Sequence, residues 1–529
     1  MAFARWRNRS EPLKGNQAIA TKDMSSGLRP LLELGPDGYA DRSTIIFGAG
    51  PAGLTAAWEL IHNGVPVQVL EAEEAIVGGI ARTASYKGFR FDIGGHRFFT
   101  KAEEVKKLWH EILSPDDWLT VPRLSRIYYK SKFFAYPLKP FDALSKLGVI
   151  QTSLCILSYL RYKVFPLKQE KSFEDWIINR FGKRLYEVFF RTYTEKVWGI
   201  PCSEISADWA AQRIKGLSLI GAVRNAFSRP GKAKGGEVVK TLIEEFEYPK
   251  LGPGMMWDRA KEKIQIKGAE VHMGSPVAAL KWGDGRLVAA ETSGAGGPRV
   301  FQATNFISTL PIRDLVGMLE PDAPGEVQRA ANALSYRDFL TVVLIVNQET
   351  LFPDNWIYIH DPTVRLGRVQ NFKNWSPLMV PDPSKTALGL EYFCNVGDDL
   401  WQMSEEELIS LGSDEISKLG LCQKSDVEDG TVVRMKKTYP VYDEHYERNV
   451  NVVRKFLETE MPNLQLVGRN GMHKYNNQDH SMMTALLAAR NILGESWDPW
   501  NVNTDAEYHE EHRSDHDTAG RAVPKTLKG

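Results

Sequence analysis

The chain has 529 residues, 43% of them hydrophobic and 25% charged, a composition typical of a soluble globular protein with two or three domains. Its 66 Lys and Arg residues balance its 66 Asp and Glu residues, which excludes a global charge that would attract nucleic acid or an anionic membrane and leaves only local basic patches open. Its four cysteines lack CxxC spacing, which argues against a zinc site or a disulfide framework and favours a reducing, cytoplasmic compartment.

The two ends of the chain are polar. Residues 1–41 contain Gly and Pro without periodicity or a continuous apolar run, so we expect a flexible lead rather than a secretory signal. Residues 496–529 form a similar tail, and we expect its three histidines to be solvated, because no rigid element fixes a ligand geometry. We therefore predict no metal site.

An N-terminal strand, loop, helix and strand have the spacing of a dinucleotide pocket. The pattern consists of a strand at 44–47, the loop Gly48-x-Gly50-x-x-Gly53, an apolar helix, and a strand at 65–70 that ends in Glu71. The first glycine permits a tight turn, the second lets a pyrophosphate approach the backbone, and the third allows close contact between helix and strand. The helix N-terminus offers free N–H groups to the phosphates, and the terminal acid can hold the ribose hydroxyls.

Two further glycine pairs follow this unit. Gly78-Gly79-x-x-Arg82 comes first, and Gly94-Gly95 then directly precedes His96. Such pairs let the backbone approach a second part of a longer cofactor. The arrangement resembles the FAD-binding start of the flavoprotein superfamily that includes amine oxidases, protoporphyrinogen oxidase, carotenoid desaturases and UDP-galactopyranose mutase. This resemblance implies FAD as cofactor, with Gly79, Arg82, Gly94 and Gly95 among its contacts.

Beyond these loops the pattern switches between helices and strands. The most apolar stretch, 147–160, is too short to span a bilayer and predicts a buried helix, so we expect no transmembrane segment. Helical periodicity dominates 141–227, and strand-like alternation dominates 336–395. Asp284-Gly285 predicts a turn between two strands, and residues 463–493 indicate a strand, a loop and a helix that close the cofactor site.

These elements predict an α/β fold with a discontinuous Rossmann-like FAD-binding domain, a helical subdomain and an antiparallel-sheet substrate domain. The predicted boundaries are 42–105, 250–315 and 455–495 for the first part, 140–249 for the second, and 106–139 with 316–454 for the third. We expect the active site where the three parts meet.

Three later segments resemble UDP-galactopyranose mutase, most closely its fungal type. They are TYTEKVWGIP at 192–201 with Trp209 and Arg213 after it, NWIY at 355–358 with Arg368 ten residues after its tyrosine, and YNNQDHS at 475–481. Together with Gly94-Gly95-His96, the resemblance covers the core segments between about residues 43 and 493. It implies a nucleotide-sugar substrate.

The resemblance assigns substrate contacts to residues of three kinds. Arg213 and Arg368 would bind the diphosphate, because a planar guanidinium can donate to two oxygens at once; an ordinary ion pair is the alternative. Tyrosine hydroxyls would donate to phosphate oxygens, and an aromatic would line the nucleotide side, with plain packing as the alternative for each. The matching positions are Tyr358, Tyr439, Tyr475 and Phe99, while Lys139 stands at the position of a base-reading glutamine.

The resemblance also implies residues on the flavin side. His96 would lie beside the isoalloxazine, and Asn477 would lie at the junction of flavin and substrate. Gln478, Asp479 and Ser481 would contact the cofactor or cap a helix that begins near Met482, and both roles are compatible. His96, Asn477 and the two arginines are thus the candidate catalytic residues.

The leading function implied by the resemblance is a mutase without net redox change, which interconverts pyranose and furanose forms of a sugar like UDP-galactose through the N5 atom of reduced FAD. NAD(P)H is a candidate reductant. An oxidoreductase of the amine oxidase or protoporphyrinogen oxidase type is the first alternative, because the fold is shared. The second is a flavin-binding protein without turnover in a complex that makes cell-surface polysaccharide. The sequence leaves open the sugar, the base and whether the chain forms oligomers.

Overall fold

The computed structural model describes residues 42–136, 138, 140–207 and 244–503. The predictions for the N-terminal lead, for Lys139 and Arg213, and for the tail beyond residue 503 lie outside the described residues.

The strands are, in chain order, β1 (Thr44–Phe47), β2 (Val67–Leu70), β3 (Thr83–Tyr86), β4 (Phe89–Asp92), β5 (Trp118–Pro122), β6 (Ser125–Tyr129), β7 (Lys132–Ala135), β8 (Glu245–Pro249), β9 (Glu270–His272), β10 (Val277–Gly283), β11 (Arg286–Thr292), β12 (Arg299–Gln302), β13 (Asn305–Ser308), β14 (Leu319–Glu320), β15 (Tyr336–Val346), β16 (Trp356–Ile359), β17 (Arg368–Asn371), β18 (Thr386–Cys394), β19 (Val427–Pro440) and β20 (Leu464–Leu466).

The helices are, in the same order, α1 (Pro51–His62), α2 (Glu103–Ile112), α3 (Pro140–Leu147), α4 (Val149–Val164), α5 (Phe173–Phe181), α6 (Lys183–Tyr186), α7 (Thr192–Trp198), α8 (Gly254–Ile266), α9 (Ile312–Gly317), α10 (Gly325–Asn332), α11 (Asp399–Gln402), α12 (Glu405–Lys418), α13 (Tyr446–Glu460) and α14 (Gln478–Leu493). Among the described residues, none of the helices is both long and apolar enough to cross a membrane.

A five-stranded parallel sheet has the order β20-β13-β1-β2-β9. Its central strand β1 places Thr44 opposite Val67 of β2 on one side and Asn305 of β13 on the other. All four residues of β1 are buried, as expected for a strand between two apolar layers. The prediction of a Rossmann-like unit is confirmed.

The second strand of this unit begins at Val67, two residues later than predicted. The N–H of Val65 donates to the carbonyl oxygen of Leu60 at 3.0 Å and so belongs to the end of α1. Pro66 has no N–H, and its carbonyl oxygen accepts from the N–H of Thr44 at 2.9 Å. Regular pairing therefore starts only after the proline.

A seven-stranded sheet has the order β19-β15-β18-β17-β16-β6-β7. Its neighbours are antiparallel except for β16 and β6, so the predicted antiparallel sheet is confirmed. A separate sheet contains β10 and β11, which form the predicted hairpin around Asp284 and Gly285. Both turn residues have positive φ, 50° and 71°, which suits a two-residue hairpin turn.

Two strands pair outside the predicted parts of the chain. Strand β14, which falls in the predicted substrate domain, pairs with β10 of the predicted FAD-binding domain. The parallel sheet draws on residues 44–70, 270–308 and 464–466, and the seven-stranded sheet on 125–135 and 336–440. Strand β8, which falls in the predicted helical subdomain, pairs instead with β5. The domain boundaries themselves stay a prediction.

Helix α4 differs from the prediction of a buried helix. It extends from Val149 to Val164, and Cys155 is its buried residue. Val149 is 84% exposed and Leu157 is 63% exposed. An apolar run indicates a helix, but only the face that meets the remaining helices can be buried, and in α4 that face is narrow.

Candidate functional site

A cavity of about 140 Å³ lies between the seven-stranded sheet, the loop after β4 and the start of α14. Its wall contains residues of β16, β17 and β19 and of the segment that leads from β20 into α14. It brings together most of the residues predicted near the flavin and the substrate: Gly94, Gly95, His96, Phe99, Tyr358, Arg368, Tyr439, Tyr475, Asn477, Gln478 and Asp479.

The predicted dinucleotide loop does not line this cavity and has the geometry of a phosphate cradle. A Cβ atom on Gly53 would lie 1.8 Å from the carbonyl oxygen of Gly48, so close contact between helix and loop requires glycine there. A Cβ atom on Gly50 would meet nothing nearer than the Cα atom of Gly79 at 3.9 Å. A Cβ atom there would thus be in ordinary van der Waals contact with Gly79, and its absence lets a ligand approach the backbone more closely.

Glu71 and Arg82 also lie outside the cavity wall. The carboxylate of Glu71 accepts from the N–H of Ala49 at 2.6 Å and from the N–H of Glu73 at 3.0 Å, so it fixes the glycine loop. Arg82 forms an ion pair with Glu73 at 2.6 Å and contacts the Sδ atom of Met435 at 3.3 Å. Their predicted contacts with the cofactor remain proposals.

The start of α14 differs from the prediction that it begins near Met482. The helix begins at Gln478, and Asn477 is its N-cap residue, with the N–H of Asn477 donating to Nδ1 of His480 at 3.3 Å. Gln478 therefore lies in the first helical turn and cannot act as the cap. Ser481 is buried one turn inside the helix.

The side chain of Gln478 lines the cavity with unsatisfied polar atoms. Its Nε2 and Oε1 atoms are both buried and have no hydrogen-bond partner. A buried polar group without a partner costs about 1–3 kcal/mol, so this amide is set up to bind a polar ligand. Together with the facing glycines Gly50 and Gly79, it fits a cofactor that extends from the glycine loops to the cavity.

His96 is neutral in this site. Its Nδ1 atom lies 3.1 Å from the carbonyl oxygen of Gly94, which can only accept, so Nδ1 carries the proton and Nε2 has a free lone pair. Burial, followed by the positive charge of Arg469, lowers the pKa of His96 to about 3. The ring can therefore accept a hydrogen bond at neutral pH.

Arg368 lines the cavity, as expected for diphosphate binding, and it also forms an ion pair, the alternative role considered for it. Its Nε atom donates to Oε2 of the fully buried Glu391 at 2.5 Å, and Nη2 contacts the same oxygen. Nε2 of Gln370 donates to the other carboxylate oxygen. Burial disfavours the charged guanidinium, but Glu391 outweighs this effect and keeps the pKa of Arg368 well above its usual value. Glu391 thus holds the arginine in place.

Arg469 also lines the cavity, although the sequence did not single it out. Its guanidinium lies 4.8 Å from the ring centroid of Tyr475 and 5.4 Å from that of Tyr439, and these two rings stack at 5.6 Å. Its side chain donates to the carbonyl oxygens of Asn476 at 2.9 Å and Thr438 at 3.2 Å. The available signal was its place in the loop between β20 and α14, which had been predicted to close the site.

Tyr193, in the segment 192–201, is a second residue of the site that the sequence did not single out. Its ring packs edge-on against Tyr358 at 5.5 Å and stacks on His360 at 4.8 Å. Tyr358 in turn lies 4.6 Å from Tyr136. Tyr193 therefore positions the wall residue Tyr358 by packing, a contact between distant segments that sequence spacing does not reveal.

Comparison with known proteins shows similarity to flavoproteins. A crystal structure of reduced UDP-galactopyranose mutase matches 88% of this chain and 99% of its own at 23% identity, with a TM-score of 0.74. A structure from Exiguobacterium sp. 255-15 described as a protoporphyrinogen oxidase matches 87% and 100% at 18% identity, with a TM-score of 0.65. At these identities the similarity shows the fold.

Sequence relatives match shorter stretches. A probable UDP-galactopyranose mutase from Klebsiella pneumoniae is 24% identical over 177 residues, which are 32% of this chain and 44% of that protein. The chain thus spans less than half the length of the curated relatives it matches. The family model of flavin-containing amine oxidoreductases, in contrast, matches residues 51–493, from the dinucleotide helix to the end of α14. The chain belongs to the family of flavin-containing amine oxidoreductases.

Proposed function

We propose that the protein binds FAD and, with the flavin reduced, interconverts pyranose and furanose forms of a nucleotide-linked sugar. The observation that carries the proposal is the convergence of Arg368, Arg469 and Tyr475 on one cavity beside His96. A cationic amine substrate gives little reason for guanidinium groups in one pocket, whereas a diphosphate can accept hydrogen bonds from them.

The residues that would hold FAD lie in two groups, at the glycine loop and at the cavity. The loop Gly48, Gly50 and Gly53 and the N-terminus of α1 would hold the pyrophosphate, with Glu71 at the ribose. Gly94, Gly95 and the amide of Gln478 would hold the flavin ring. Bound reduced flavin supplies the nucleophile for the sugar carbon, and NAD(P)H is the reductant we propose.

The two arginines would contribute unequally to diphosphate binding. The charge of Arg368 is already compensated by Glu391, so its role is chiefly to orient donors. Both side-chain hydrogen bonds of Arg469 go to neutral carbonyl oxygens, and after burial its positive charge contributes more than that of Arg368 to the lowered pKa of His96. Arg469 would therefore provide most of the electrostatic attraction for the leaving diphosphate.

His96 and the tyrosines would hold the sugar between flavin and diphosphate. The free Nε2 atom of neutral His96 can accept a hydrogen bond from a sugar hydroxyl or a flavin N–H. Tyr358, Tyr439 and Tyr475 line the same cavity, and tyrosine hydroxyls can donate to phosphate oxygens. Trp356 and Trp375 add an apolar wall that helps to exclude water.

The second candidate is an oxidoreductase that transfers hydride to the flavin. The family description and the protoporphyrinogen oxidase fold both favour it. The two candidates differ in electron balance, because ring contraction leaves the oxidation state of the sugar unchanged.

The deciding experiment incubates photoreduced protein with a panel of nucleotide sugars and separates pyranose from furanose forms by chromatography. We expect many products per electron pair delivered, and the oxidised protein should give none. One product per two electrons, or flavin reduction by an amine without added reductant, would favour the oxidoreductase. Bleaching of the flavin on addition of NADH or NADPH tests the proposed reductant.

A further inference from the structure

Exposed apolar side chains are concentrated on one segment of the described protein. Nine of the 15 large hydrophobic residues that are exposed lie between residues 149 and 167, in α4 and just after it. Val149, Ile150 and Phe165 are 84%, 81% and 74% exposed. Single exposed apolar residues need no explanation, but a contiguous patch marks an interaction surface.

The opposite face of α4 attaches it firmly to the rest of the helical segment. Cys155 is buried, and the Oγ atom of Ser158 accepts from the N–H of Arg184 at 3.2 Å. A Cβ atom on Gly182 would lie 2.7 Å from the backbone nitrogen of Tyr159, so the two backbones are in close contact. At 100° per residue these positions lie on one side of the helix. The apolar face of α4 therefore points away from the helical segment to which the opposite face is attached.

The exposed face has a defined shape and charge. On a helical projection, Val149, Leu157, Leu160 and Val164 lie within one apolar stripe, and the helix is about 24 Å long. Basic residues flank this stripe: Arg161 falls at one edge and Lys163 at the other, and both are exposed. Residues 149–168 contain three basic side chains, with Lys168 the third, and no Asp or Glu.

We propose that α4 lies in the surface of an anionic membrane, with its apolar stripe among the acyl chains and its basic edges against the phosphate headgroups. A helix with this arrangement lies parallel to the membrane and inserts only its apolar face. The charge argues for lipid rather than for a second copy of the chain, because two copies of α4 in contact would bring like charges together. The inference is independent of which sugar the protein acts on.

Binding of the intact, flavin-loaded protein to vesicles tests the proposal. We expect it to float with vesicles of equal parts phosphatidylcholine and phosphatidylglycerol, to bind pure phosphatidylcholine more weakly, and to lose binding to the anionic vesicles at high salt. The variant L157E/L160E should reduce the bound fraction by about tenfold or more, because it puts two charges into the apolar stripe.

A matched control separates this effect from a general loss of exposed apolar surface. Ile266 and Val300 are 84% and 63% exposed and lie outside α4, so I266E/V300E should bind vesicles like the unchanged protein. Circular dichroism and flavin absorbance should be the same for all three proteins. Equal vesicle binding by L157E/L160E overturns the proposal, as does failure of the unchanged protein to bind anionic vesicles. Self-association without vesicles that L157E/L160E abolishes would likewise overturn it and make α4 a contact between copies.

Discussion

At the scale of single residues, the cavity arginines Arg368 and Arg469 differ in what surrounds them. Arg368 has a buried carboxylate partner, whereas Arg469 donates to backbone carbonyls and lies over two tyrosine rings. Substitution of either arginine removes a positive charge from the cavity. Only substitution of Arg368 also leaves its carboxylate partner buried without a counter-charge. Ligand binding and folding stability can therefore be separated experimentally.

Arg469→Ala should weaken binding of UDP and other nucleoside diphosphates by about 2–5 kcal/mol, because a buried phosphate loses a charged partner. Arg469→Lys should restore only part of the affinity, since lysine lacks the planar donor pair. Isothermal titration at constant flavin content measures both. Arg259→Ala, which removes an exposed guanidinium paired with Glu262, is the matched control. Unchanged affinity in Arg469→Ala would make this arginine structural.

Arg368→Ala should lower the free energy of unfolding by about 3–5 kcal/mol, because it leaves Glu391 charged, buried and unpaired. The additional change Glu391→Gln should recover much of that loss. Denaturant midpoints of the single and double variants measure the difference. If the single variant is as stable as the unchanged protein, Glu391 does not need its partner, and the argument that it fixes Arg368 fails.

At the scale of elements, the dinucleotide loop and its helix make different demands on two of their glycines. Gly53 has no room for a Cβ atom because the carbonyl oxygen of Gly48 occupies that position. Gly50 has room for one carbon, which would lie 3.9 Å from the Cα atom of Gly79. The first glycine is therefore needed for folding and the second for the ligand.

Gly50→Leu should leave the secondary structure intact and strip the flavin, because the larger side chain fills the space proposed for the pyrophosphate. Gly53→Ala should instead lower the melting temperature itself. Absorbance near the flavin maxima and circular dichroism report the two effects separately. Gly283→Ala, at a glycine with nothing within 4 Å of an added Cβ atom, is the control. A folded Gly50→Leu variant with full flavin content would show that the cofactor lies elsewhere.

Local elements of the structure could be predicted from the sequence, whereas contacts between distant segments could not. The strand β1, the glycine loop and the hairpin at Asp284 depend on neighbours in the chain, so local patterns predict them. The stacking of Tyr193 on His360, and the contact of Arg469 with Tyr439, join segments far apart in the chain. Residue spacing does not reveal contacts of that kind.

Helix α4 illustrates a second reason for a wrong prediction. Its apolar residues predicted burial because apolar surface is normally removed from water. The structure buries Cys155 and leaves Leu157 and Leu160 exposed. Hydrophobicity indicates that a surface needs a partner, but it does not tell whether the partner is another part of the same chain.

At the scale of the whole molecule, three histidines are neutral, of which His360 and His473 are buried and His96 lines the cavity. Burial lowers the pKa of His96 and His360 to about 3 and that of His473 to about 4. In the unfolded chain a histidine titrates near 6.5, so between that pH and the lower folded values the unfolded state binds more protons. The contribution of these neutral histidines to the free energy of unfolding is complete above pH 6.5, and it is lost as the pH falls from there toward the folded-state pKa values.

The free energy of unfolding should therefore fall by about 2 kcal/mol per buried histidine between pH 7 and pH 5. His360→Gln should reduce the pH dependence of the denaturant midpoint, because one of the three groups no longer takes up a proton on unfolding. His445→Gln, at an exposed position, is the control. A midpoint that is unchanged between pH 7 and pH 5 would contradict this account.

The order of strands in the parallel sheet has a consequence for synthesis on the ribosome. Its central strand β1 is made early, yet its partner β13 begins at Asn305 and the edge strand β20 at Leu464. At typical elongation rates of 5–20 residues per second, roughly 20–80 s separate completion of β2 from emergence of β20. During that time the nascent chain presents unpaired backbone, first on β1 and, once β13 has paired with it, on β13. Its yield in the cell should therefore depend on chaperones that bind the growing polypeptide.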